Sequence, residues 1–164
     1  STQASRSREP VTEMAPVDLA ALVKETAQNM TVNARRAYVT LQYDARPATV
    51  RGSRDQLSEL TQNLCDNAIR YNRPGGHVAL RCGVGGDGCP YFEVEDNGIG
   101  IPQDSQTRVF ERFYRVDKSR SKATGGTGLG LAIVKHIALL HDAKIDLQSQ
   151  VGTGTTIRVT FPKG

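Results

Sequence analysis

A two-layer α/β sandwich, with a mixed sheet covered on one face by three long helices, is the fold class this sequence predicts. Three observations predict it. Apolar residues recur at helical spacing in three long segments, about six short runs alternate apolar with polar residues, and several of those runs are joined by turn-rich tetrapeptides as hairpins. A single hydrophobic core suffices, because 164 residues and 17.8 kDa fall within the roughly 100 to 200 residues that one domain spans.

The elements follow in order. Residues 1–16 are polar, with a Ser/Arg alternation and two prolines, and read as a linker or the tail of an upstream domain, so that the folded unit is 17–164. Asp18 is placed to cap a helix running to about residue 36, with Leu19, Leu22, Val23, Thr26 and Met30 on one stripe. Two short β-like runs, 39–43 and 49–51, flank Arg46-Pro47. A second helix over 53–71 carries Leu57, Leu60, Leu64 and Ala68 on one side and stops at Asn72-Arg73-Pro74-Gly75-Gly76. Alternating runs at 77–84 and 91–96, joined by Gly85-Gly86-Asp87-Gly88, predict a hairpin. Residues 97–126 are rich in Gly, Arg and Ser around a short helical stretch at 104–113, a loop long enough to expect function in it. A third helix, 127–141, and two more alternating runs, 144–149 and 155–161, close the chain.

Composition narrows the function. Aromatic residues make up 5% of the chain and tryptophan is absent, so it lacks the stacking platforms that bind single-stranded nucleic acid. No apolar run approaches the roughly 18 residues of a membrane span, and the sequence reads as a soluble piece. The net charge of +4 is concentrated: residues 105–122 hold Arg108, Arg112, Arg115, Lys118, Arg120 and Lys122 against Glu111 and Asp117. One short basic segment fits a small, highly charged anion better than a polyanion surface, although a solvated loop would look the same. Cys65, Cys82 and Cys89 have neither the even count of a disulfide framework nor the spacing of a zinc site, and read as reduced, buried hydrophobes.

Three clusters carry chemistry. On the second helix, Asn63, Asn67 and Arg70 fall within a sector of roughly 60° beside the leucine stripe. Asparagine is a poor helix former, and an amide oxygen suits a hard cation such as Mg²⁺. At 94–102, VEDNGIGIP, period-two alternation puts Asp96 on the same face as Phe92 and Val94, so its carboxylate points inward and needs a donor, which an exocyclic amine such as adenine N6 supplies. At 125–131, GGTGLGL opens the third helix with glycines whose backbone N–H groups face a phosphate. It lacks the GKS/T of a Walker loop, and no strand feeds it as in a Rossmann turn. Singly, each cluster also fits an ordinary polar face or turn.

Their order is specific. Residues 59–71 resemble the N box, 96–102 the G1 box, 109–115 (VFERFYR) the F box and 125–131 the G2 box of sensor histidine kinases, and Gly152-Thr153-Gly154-Thr155 resembles the last glycine box. The resemblance spans 17–162. It implies the Bergerat ATP-binding fold with a mobile ATP lid over 116–127, and ATP with Mg²⁺ as cofactors. It assigns Asn67 to Mg²⁺ with Asn63 beside it, Asp96 to the adenine amine, Arg70 to phosphate, and Tyr71 to the nucleotide flank. Arg115 and Arg120 are the phosphate-facing arginines, and Thr155 lies near adenine. Gly98, Gly100, Ile101, Gly126, Thr127, Gly128, Leu129, Gly130 and Leu131 complete the nucleotide site, while Asn63, Arg115 and Arg120 serve catalysis. Two departures stand out: Arg70 where lysine is usual, and Asp142-Ala143 where a glycine is common.

The phospho-accepting motif, a histidine followed by an acid and a proline upstream of the N box, is absent, and none of His77, His136 or His141 satisfies it. The resemblance therefore implies a cytoplasmic catalytic domain that phosphorylates a histidine on a separate dimerisation domain. The full protein is expected to be a membrane-anchored homodimer relaying phosphate to a response regulator, with no nucleic-acid partner. Two alternatives are an ATP-hydrolysing relative of the same fold and a nucleotide-binding regulatory module. Hydrolysis is disfavoured because such relatives place a glutamate base where this chain has Asn63, and an amide takes no proton from water at neutral pH.

Overall fold

The computed structural model describes residues 13–112, 114 and 130–164. Five strands form a mixed sheet in the order β2-β4-β5-β7-β6, and two more form a small antiparallel ribbon, β1 with β3. Along the chain these are β1 (Ala15–Asp18), α1 (Leu19–Arg36), β2 (Thr40–Ala45), β3 (Thr49–Gly52), α2 (Arg54–Arg70), β4 (His77–Val84), β5 (Pro90–Asp96), α3 (Gly130–Leu140), β6 (Lys144–Gln150) and β7 (Gly154–Thr160). The β2–β4 pair is parallel and the other sheet pairs are antiparallel.

The helices begin where local chemistry dictates. The Asp18 side chain accepts the Ala21 N–H at 3.2 Å, and the Ser53 hydroxyl accepts the Gln56 N–H at 3.3 Å, each satisfying a donor that has no intrahelical partner. α1 and α2 bury their apolar stripes against β4 and β5, and α2 packs along α3. The sheet answers with Val78, Leu80, Cys82, Phe92, Val94, Ile157 and Val159, all on its inner face. Each large side chain buried in this way contributes about 1.5–3 kcal/mol. One polar contact lies within the layer: the hydroxyls of Thr26 and Thr61 meet at 2.8 Å and tie α1 to α2. The outer sheet face is charged, with Arg81 and Arg158 both on Glu93 and Arg158 3.8 Å from the Tyr91 ring centroid. Burial alone would raise the Glu93 pKa, but the hydrogen bonds from Arg158 and Arg81 outweigh it and hold the carboxyl below its usual range.

Several expectations change. β1 starts at Ala15, two residues ahead of the expected start of the folded unit, because Ala15 pairs with Gly52. The runs expected at 39–43 and 49–51 enter different sheets. The helix expected over 104–113 is a single 3₁₀ turn, Gln103–Ser105, followed by further three-residue turns that run on to Tyr114. Cys65 and Cys82 are buried as expected, whereas Cys89 is half-exposed, and burial pushes the Cys65 thiol up to about 12.

The departure at 142–143 has a structural meaning. α3 ends in a Schellman turn, in which Ala143 N–H donates to Ala138 O at 2.8 Å and Asp142 N–H to Leu139 O at 3.2 Å. That turn places Asp142 at φ 53°, the left-handed region that glycine enters without steric cost. Asp142→Gly should therefore stabilise the domain by about 0.5–1 kcal/mol, offset in part by the entropy of the unfolded glycine. A urea titration should show a higher midpoint at unchanged slope; a lower midpoint would contradict this account of the turn.

The same turn places His141 beneath the start of α2. His141, 4% exposed, accepts the Ser53 N–H on Nε2 at 3.0 Å, and its Nδ1 lies 2.8 Å from Ile137 O. Nδ1 therefore carries the proton, since Nε2 accepts and a carbonyl cannot donate. The ring clasps the end of α3 to the cap of α2, which is how the two helices that flank the cavity described next are held together.

Candidate nucleotide site

The strand register assembles the centre of this site. Asp96 ends β5 opposite Thr155 on β7 and Val78 on β4, so three strands converge on one carboxylate. Its Oδ1 accepts the Gly98 N–H at 2.9 Å and the Thr155 N–H at 3.2 Å, which fixes the carboxylate and leaves Oδ2 for a ligand. Burial raises the Asp96 pKa, the two backbone N–H groups lower it, and neighbouring Glu95 raises it; the net direction is upward.

Around Asp96 lies a cleft lined by Leu64, Asn67, Ala68 and Tyr71 of α2 and its cap, Val94 of β5, Ile99, Gly100 and Ile101 of the following loop, Val109, Tyr114, Leu131 and Ile157, with Thr155. A mostly apolar cleft with few convergent polar groups is the form of a small-molecule site. The loop that closes it is tied on both sides at Ile99, whose N–H donates to Tyr71 O at 3.1 Å and whose carbonyl accepts the Gly152 N–H at 2.9 Å. Gly100 sits at φ 77°, and a Cβ there would lie 2.2 Å from Gln150 O, so the loop presses directly on the β6–β7 turn.

Of the expected site residues that fall among the described ones, the site gathers most. Asn67, Tyr71, Asp96, Gly100, Ile101, Leu131 and Thr155 line the cavity, and Gly98 acts through its N–H on Asp96. Asn63 lies outside the lining, but its Nδ2 is the one buried side-chain polar atom without a partner among the described residues. Arg70 is not brought in: its Nε lies 2.7 Å from Asp66 Oδ2, and it lines a separate groove with Asn33 and Arg36 of α1. Gly130 begins α3 with open space around it. Arg115, Arg120, Gly126, Thr127, Gly128, Leu129 and the expected lid at 116–127 lie outside the described residues.

Sequence reasoning missed the site's apolar walls, because Leu64, Ala68, Val94 and Ile157 read as ordinary core. It also missed Tyr114, whose hydroxyl donates to Ser105 Oγ at 2.8 Å. Its position inside the VFERFYR motif was the available signal.

The family model for histidine kinase-, DNA gyrase B- and HSP90-like ATPases matches residues 52–164. The chain belongs to that family. It is thus an ATP-binding domain of the histidine-kinase type, and the expected fold class holds. The sensor-like histidine kinase SenX3 of Mycolicibacterium smegmatis is 43% identical over 156 residues, covering 94% of this chain and 40% of the relative. The phosphate regulon sensor protein PhoR of Pseudomonas aeruginosa is 42% identical over 119 residues, covering 72% of this chain and 27% of PhoR. The chain therefore spans about 40% or less of the length of these relatives. Among solved structures, the mycobacterial sensor histidine kinase MprB superposes with a TM-score of 0.76 at 30% identity, covering 91% of this chain and 97% of MprB. Full-length ShkA, determined in complex with AMPPNP, superposes with a TM-score of 0.78 at 26% identity, over 93% of this chain and 31% of ShkA.

Proposed function

We propose that this domain binds Mg-ATP and transfers the γ-phosphoryl group to a histidine on a dimerisation domain outside this chain, for relay to an aspartate of a response regulator. The observation that carries the nucleotide reading is Asp96: one carboxylate oxygen is locked by two backbone N–H groups, and the other is left at a mostly apolar cleft. The apolar walls hold the base, Asp96 takes its amine, and Tyr71 and Asn67 follow along α2 toward the phosphates. That ShkA, which shares this fold, was determined in complex with AMPPNP supports a nucleotide as the ligand.

Among the described residues no cluster of three or more His, Cys, Asp or Glu could hold a metal. Mg²⁺ nevertheless fits, because it is commonly bound by one or two protein oxygens, water and the phosphates themselves. Asn67 offers such an oxygen. When bound, the ion neutralises phosphate charge. The orphaned Asn63 Nδ2 is a donor, suited to a phosphate oxygen. On sequence grounds Arg115 and Arg120 add charge-assisted contacts to the triphosphate. Such a site works chiefly by positioning and charge neutralisation.

No helix among the described residues is long and apolar enough to cross a membrane. We place the domain in the cytoplasm, where ATP is available, within a homodimeric and membrane-anchored sensor.

The test joins this domain to a dimerisation domain bearing the acceptor histidine. With γ-labelled ATP and Mg²⁺, acid-labile phosphate should appear on that histidine and not on this chain alone. Asn67→Ala should reduce transfer about 100-fold and remove most of the Mg²⁺ enhancement of ATP affinity, while metal-free binding changes little. Full Mg²⁺ enhancement in that variant would place the ion elsewhere, and ATP binding without transfer would overturn the kinase reading.

A further inference from the structure

A serine outside the cavity lining bonds to two residues that line it, Ile101 and Thr155. Ser149, on β6, is at the centre of a hydrogen-bond cluster. Its Oγ accepts the Ile101 N–H at 2.8 Å, lies 3.1 Å from Gly154 O, and lies 2.7 Å from Thr155 Oγ1. The Gln106 amide braces the same cluster, donating to Ile101 O at 2.9 Å and to Ser149 O at 3.1 Å.

A serine hydroxyl has one proton and two lone pairs. The Ile101 N–H can only donate, so it takes one lone pair. The Gly154 carbonyl can only accept, so it takes the proton. Thr155 must then donate its own proton to the lone pair that remains. The three contacts close in only this way, and Thr155 Oγ1 is left with acceptor capacity alone.

We propose that Ser149 is a specificity-determining positioning residue: by fixing the polarity of the Thr155 hydroxyl, it makes the cavity edge beside Asp96 a pure acceptor surface. Two adjacent acceptors, Asp96 Oδ2 and Thr155 Oγ1, accept an amine or a bridging water and reject a carbonyl placed at the same edge. The relay rests on the adenine reading given above and deepens it, since selection of a 6-amino over a 6-oxo purine would then depend on a residue that never touches the base.

The experiment compares ADP with IDP, which differ at the base edge while sharing ribose and phosphates, by calorimetry on the whole chain. Wild type should prefer ADP strongly. Ser149→Ala frees the Thr155 hydroxyl to donate or accept, and should lower the ADP/IDP preference about 5- to 10-fold. Ser149→Thr, which keeps a hydroxyl, should retain most of the preference. Thr155→Val should lower the ratio as well, and adding Ser149→Ala to it should lower it no further. Ser149→Cys keeps the volume with a poor acceptor, and gives the same reading if the alanine variant does not fold. An unchanged ratio, with ADP and IDP weakened equally in the alanine or cysteine variant, would show Ser149 to be merely structural and overturn the proposal. A wild type that binds ADP and IDP equally would instead overturn the adenine assignment on which the relay rests.

Discussion

Asp96→Asn should reduce ATP affinity about 100-fold at neutral pH while leaving the fold intact. The reason is geometric. In the wild type, one oxygen accepts from Gly98 and Thr155 and the other faces the cavity. Asparagine replaces one of those oxygens with an NH₂ group. If the NH₂ turns to the backbone, it meets two N–H donors; if it turns to the cavity, it meets the amine of the base. Each orientation sets donors against donors, at a cost of about 3 kcal/mol once the lost charge-assisted bond is included. The upward shift of the Asp96 pKa adds a pH dependence. Only the carboxylate accepts from the amine, so affinity should fall on acidification, at a higher pH than an ordinary aspartate would require. Stability moves the other way: in the window between the unfolded and the raised folded pKa the native state binds more protons, so acidification favours folding through this group. Calorimetric titrations carried into the acid range should show a limb in the wild type that is absent in Asp96→Asn. An affinity independent of both the substitution and pH would remove Asp96 from the site.

The second large effect is expected at the turn behind Asp96. Gly154→Ala should destabilise the domain by about 3 kcal/mol or more, lowering the melting temperature by roughly 6–12 °C. Gly154 sits at φ 139°, and a Cβ there would lie 2.0 Å from Asp96 O and 2.8 Å from Asn97 Cα. Both neighbours are backbone, so no side chain can swing aside, and relief requires β5 and β7 to separate where their register aligns Asp96 with Thr155. ATP binding should be lost with stability. Gly152 is the matched control: it has a positive φ of 83°, but a Cβ there would meet nothing within 4 Å, so Gly152→Ala should cost only about 1 kcal/mol. Similar losses for the two variants would mean that backbone strain, rather than the approach to Asp96, makes glycine necessary at 154.

Local features were legible in the sequence because their causes lie within a few residues. The cap Asp18 bonds to an N–H group three positions ahead, and the inward side of Asp96 follows from strand alternation. The ordered motifs carried the family, since each places a distinct chemical group at a separate point along the chain. The polar sector on α2 was also correctly placed beside the leucine stripe, with Asn67 reaching the cavity.

What lay beyond the sequence is pairing between distant segments. β2 and β3 are neighbours in the chain yet join different sheets, because β4 offers β2 a parallel partner and β1 offers β3 an antiparallel one. Arg70 shares a helical sector with Asn67, but Asp66 one turn earlier holds its guanidinium on the side facing α1. Periodicity fixes an angle on a helix and leaves open which of two adjacent grooves a long side chain enters. His141 and Ser149 look ordinary in the chain, and their partners Ser53 and Ile101 lie 88 and 48 residues away. Hydrogen-bond capacity is a property of each residue, readable at once, whereas the partner that uses it is chosen only when sheet register and helix packing bring remote donors and acceptors within about 3 Å of one another.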